Sequence, residues 1–121
     1  MIRIAIAAAS LFLAVPASAQ SAPVEPTPLS LQQSTALRCS AAFALGAALQ
    51  ARGEATTWPP LAARGREFFV RTSAQVMDET GRPREAVASS LAEYARPLAA
   101  NRGALDAAMP PCLLLLDASG L

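Results

Sequence analysis

The two cysteines, Cys39 and Cys112, constrain this chain more than any other feature. They stand 73 positions apart. An even count admits one pairing, and an oxidising compartment would close it. On the chain-entropy expression such a bridge stabilises by about 4.5 kcal/mol. That is large beside the roughly 5–10 kcal/mol of net stability expected of a domain this size. The alternative is two buried free thiols behaving as small apolar side chains. A redox-active role is disfavoured: there is no C-x-x-C, and no cation adjoins Cys112, although Arg38 adjoins Cys39.

The compartment is legible at the N-terminus. Arg3 precedes an apolar run, Ile4 to Val15, interrupted only by Ser10. Pro16-Ala17-Ser18-Ala19 then supplies an A-x-A cleavage site, so residues 1–19 read as a signal peptide cleaved after Ala19. As a helix the run would span about 18 Å, against about 30 Å of hydrocarbon core. We therefore expect export to the periplasm and no stable membrane span after cleavage. Loss of Arg3 leaves the remaining Arg and acidic residues in balance.

Composition excludes several functions. The chain has no His and no Lys. Without His there is no Ser-His-Asp or Cys-His catalysis and no His-ligated metal. Without a basic excess there is no nucleic-acid footprint. The six Gly are scattered and form no phosphate loop. Asp78-Glu79 are sequence neighbours, which do not face each other on a helix. A soft-metal set of Met77, Met109 and the cysteines would need reduced thiols. We expect no cofactor, no metal site, no catalytic residue and no enzyme activity.

The remaining pattern is helical throughout. Residues 20–30 hold Pro23, Pro26 and Pro28 and read as an extended lead-in. Residues 31–121 read as a single domain. Ser30 and Gln33 form an S-x-x-Q capping box that opens the first helix, which runs to about Ala51 before Gly53. Its middle, Cys39 to Leu49, carries no charge, and a helix apolar on all sides is surrounded. It should be the central helix. A second helix follows Pro59-Pro60 and ends at Gly81. Its apolar face comprises Leu61, Gly65, Phe68, Phe69, Thr72, Ser73 and Val76. A third runs from Pro83 to about Leu98, with Pro97 expected to kink or stop it near Tyr94 to Arg96. Asn101 caps a short fourth helix that Pro110-Pro111 should break. Cys112 to Ala118 then forms a last helical turn or two, with a short buried strand as the alternative. The expected fold class is all-α: a compact bundle of four to five helices with one disulfide.

Two sets of residues are candidates for contact with something else. Phe43, Phe68, Phe69, Leu113 and Leu116 could line a pocket between helices for a small apolar ligand. Trp58, in TTWPP, could cover the start of the second helix as a hydrophobic staple, or be an exposed anchor for a partner.

The stretches GREFFVRTSAQVMDETG (Gly65 to Gly81) and MPPCLLLLDASGL (Met109 to Leu121) resemble those of an uncharacterised family of short exported bacterial all-helical two-cysteine proteins. That resemblance implies the fold and transfers no catalytic residue. Cys39 and Pro111-Cys112 are also similar in placement to the cysteines of periplasmic immunity proteins that block cell-wall-degrading toxins. This implies a toxin-immunity-like inhibitor. The expected function is a non-enzymatic periplasmic binding or accessory protein that acts by surface contact. Its partner would be an envelope protein not identifiable from sequence, or a small apolar ligand.

Overall fold

The structure, a computed structural model, describes residues 27–55 and 57–121. The expected signal peptide and residues 20–26 of the lead-in lie outside the described residues. Four helices follow in chain order: α1 (Leu31–Ala51), α2 (Ala62–Thr80), α3 (Arg84–Ala100) and α4 (Arg102–Ala118). Among the described residues there is no strand. The segment after Cys112 is therefore helix.

Helix α1 starts at the expected box. The Gln33 backbone N–H donates to Ser30 Oγ at 3.1 Å, and the Ser30 N–H donates to Gln33 Oε1 at 2.9 Å. Gly53, at φ +79°, lies just beyond its end. Residues 39 to 43 are buried without interruption, and α1 packs against each of the other three helices. No single stripe could do this; only a helix of small side chains can be enclosed on several sides. The α1–α2 approach is close enough that a Cβ on Gly65 would come within 2.9 Å of Phe43 Cβ.

Helix α2 begins at Ala62, later than Pro59-Pro60, and its N-cap residue Leu61 supplies no side-chain cap. The connection is instead clamped by Gln50. Its Nε2 donates to the Trp58 and Pro59 carbonyls, at 3.3 and 2.9 Å, and its Oε1 accepts from the Leu61 N–H at 3.0 Å. The end of α2 is the left-handed Gly81, at φ +70°, whose N–H donates to the Met77 carbonyl.

The proline expectations need correction. Helix α3 continues past Pro97 to Ala100, and α4 runs unbroken through Pro110-Pro111. A helix proline deprives the carbonyl four residues back of its donor. Those carbonyls belong to Glu93, Asp106 and Ala107, all exposed residues, and the three prolines are themselves exposed. Water can meet the carbonyls. Met109 and Cys112, which flank the prolines, are buried, so packing holds the helix together across the gap.

Two cores result. The larger joins Phe43, Phe68, Leu98, Met109, Leu116 and the two cysteines, with Phe43 and Phe68 edge to face at 5.3 Å. The smaller joins Leu37, Val76 and Val87, with Leu29 and Tyr94 against it. The Cys39 and Cys112 sulfurs are at disulfide distance, Cα to Cα 5.2 Å, and tie α1 to α4. Farther along α4, the Arg64 guanidinium of α2 donates to Asp117 Oδ1 at 2.8 Å and to the Leu121 carbonyl at 2.9 Å.

The double variant Cys39→Ala/Cys112→Ala should lose up to about 4 kcal/mol of unfolding free energy in urea titration. Gly65→Ala should lose about 1 kcal/mol net: overpacking costs about 1–3, and improved helix propensity returns about 1. Gly46→Ala should lose less, because its new Cβ meets the flexible ends of Leu61 and Met109.

Candidate functional site

The expected pocket residues separate. Phe43, Phe68 and Leu116 are buried in the larger core, and Leu113 packs against it, half-buried. Phe69 does not join them. It stands about 100° round the helix from Phe68, and it is 40% exposed. Trp58 is half-buried against the larger core, and the Arg102 guanidinium lies 5.3 Å from its ring centroid.

Phe69 opens instead onto a groove of about 450 Å³ between α2 and α3. The α2 wall is Phe69, Val70, Ser73, Ala74 and Met77. The α3 wall is Arg84, Val87, Ala88 and Leu91. These positions recur at steps of three and four along both helices, so each helix contributes one stripe. Val70 is 53% exposed, which leaves two large apolar side chains of one helix turned to solvent together. Phe69 and Leu91 also line an adjoining hollow of about 280 Å³, which Ala41, Ala44 and Leu45 of α1 and Ala92 and Ala95 of α3 complete.

Two polar groups border this apolar surface. Ser73 Oγ is buried and has no hydrogen-bond partner among the described residues. Arg84 makes no ion pair among the described residues, where the pairs are Arg52–Glu54, Arg64–Asp117 and Arg102–Asp106. No carboxylate lines the groove or the adjoining hollow.

Among the described residues no three of His, Cys, Asp and Glu cluster as metal ligands. Of the sequence-adjacent acids, Glu79 is tied into the scaffold: Gln75 Nε2 and Gln33 Nε2 each donate to its carboxylate at 2.6 Å. This links the α1 capping box to the end of α2. Among the described residues no helix is long and apolar enough to cross a membrane.

No family model matches the chain, and neither the curated proteins nor the solved structures include a match. The groove therefore has to be interpreted from its own chemistry.

The sequence does carry the signal for this groove. The α2 apolar stripe is wider than one helix contact can bury, and Val70 and Met77 extend it on the Phe69 side. Their run with Phe69 is the surplus that becomes the groove wall.

The bonds from Gln75 and Gln33 hold the Glu79 carboxyl below its ordinary value of 4.5. A depressed folded-state value means the ionised form stabilises the fold. That contribution is present above the unfolded value and is lost as pH falls through the folded one. Acid titration followed by circular dichroism should therefore show a shallower loss of stability in Glu79→Gln than in the wild type.

Proposed function

We propose that the chain is a non-enzymatic binding protein of the cell envelope, which engages its partner at the apolar groove between α2 and α3. The observation that carries this reading is the joint exposure of Phe69 and Val70 on the wall of an apolar groove. A small domain that fills its centre with other residues, yet leaves a contiguous apolar furrow on its flank, has surface suited to contact. The export half of the reading is supported by Arg3, the apolar run and the Ala17-Ser18-Ala19 site.

A small-ligand carrier is the second reading. The groove volume lies in the range of ligand sites, and the site sits between two helices as such sites often do. A toxin inhibitor would be a special case of the first reading, with a protein as the partner.

Val70→Asp places a charge on the groove wall at a position already largely exposed, so folding should be unaffected. Paired affinity captures from envelope extract with oxidised wild type and Val70→Asp should retain a component with the wild type alone. Identical retention by both would remove the groove from the function. Turnover of an ester, peptide or glycan substrate by the purified protein, abolished by an Asp or Glu substitution, would overturn the non-enzymatic assignment.

A further inference from the structure

We propose that the α2/α3 groove takes a single-chain anionic amphiphile of the fatty-carboxylate type, with the carboxylate at Arg84 and the alkyl chain running past Phe69 and Leu91. The proposal rests on the reading that this groove is the binding site, and it names the chemistry of the occupant.

Three observations fit together. The first is shape. Arg84 stands in the first turn of α3, and the apolar walls extend from it through Leu91 to Ala95 of the adjoining hollow. At 1.5 Å per residue that is about 16 Å of helix, a length that accommodates an extended alkyl chain such as that of dodecanoate. Phe69 and Leu91 line both the groove and the hollow, so the two adjoin at these side chains. The volume, about 450 Å³ for the groove alone, suits one such chain rather than a broad protein face.

The second is charge. Arg84 is the charged member of the lining and has no carboxylate partner among the described residues. Glu85 lies in the same turn and Asp78 in the last turn of α2, yet neither lines the groove. A guanidinium at the end of an apolar groove is complementary to a ligand whose one charge is a terminal carboxylate, which it can meet in a bidentate fork. A neutral apolar ligand would leave that group unused.

The third is the wall itself. Ser73 Oγ, on the α2 wall, is a buried hydroxyl with no partner among the described residues. The hollow is lined by alanine and leucine side chains with Phe69 and Ser40, whose hydroxyl already donates to the Ala36 carbonyl. Arg84, at the head of α3, is thus the charged group of a largely apolar lining.

The test is titration of the oxidised protein with octanoate, dodecanoate and 1-dodecanol below their aggregation concentrations, read by amide chemical shifts and calorimetry. Dodecanoate should shift amides of residues 69–77 and 84–95. Affinity should rise about twofold to fourfold per added methylene from octanoate to dodecanoate, the upper figure holding for full burial. Arg84→Gln should weaken dodecanoate about threefold to fivefold and leave dodecanol unchanged, while Arg84→Lys should restore part of the loss. Equal binding of the alcohol and the carboxylate, with no effect of Arg84→Gln, would overturn the carboxylate assignment and leave the groove as an apolar site. Shifts confined to other surfaces, or none with either compound, would overturn the amphiphile altogether. The paired capture with Val70→Asp then decides separately whether a protein uses the groove.

Discussion

The middle of helix α1 is built largely of small, uncharged side chains, and the other three helices pack against it while Ala44 and Ala48 face solvent. Alanine, serine and glycine at successive positions give no large knob to interdigitate, so stabilisation comes from close backbone approach and from burial on several sides at once. Leu37 and Phe43 are the large buried exceptions: Leu37 anchors the smaller core, and α2 accommodates Phe43 by presenting Gly65. The large side chains of the core come mainly from the partners: Leu61 at the head of α2, Phe68, Leu98, Met109 and Leu116. A helix enclosed in this way must be central, and the chain around it has few other places to go.

Much of this was readable from residues. The capping box and the Gly53 and Gly81 stops each rest on a local signal with a single strong interpretation, whereas the cysteine pairing was one of two readings and the enclosure of α1 is partial, Ala44 and Ala48 being exposed. The prolines were misread because proline's cost depends on which side of the helix the orphaned carbonyls face. Pro97, Pro110 and Pro111 all lie on exposed arcs, and that information belongs to the tertiary structure. The Gln50 clamp was invisible for a related reason: one amide serving three backbone groups follows from the folded turn, not from any spacing.

The site illustrates how far a periodic stripe can be trusted. The sequence marks the α2 face as apolar, and Phe68, Thr72 and Val76 are indeed buried. Phe69 and Ser73 sit at the margin of the same stripe, one position further round, and there the helix packing runs out. Periodicity places a residue on a face but does not say how wide the opposing helix is. Here α3 covers only part of what α2 presents, and the uncovered margin is the groove. Its polar groups, Arg84 and Ser73, gave no signal in the sequence because neither belongs to a motif.

The covalent tie between α1 and α4 has a mechanical side. Both α2 and α3 lie inside the loop that the two sulfurs close. Tension applied to the polypeptide outside Cys39 and Cys112 would travel along the start of α1, across the sulfurs and out through the end of α4. The pair of helices that walls the groove stands outside that load path. The furrow would still feel such a pull, because Leu37, ahead of Cys39, packs with Val76 and Val87 of the two helices that wall it.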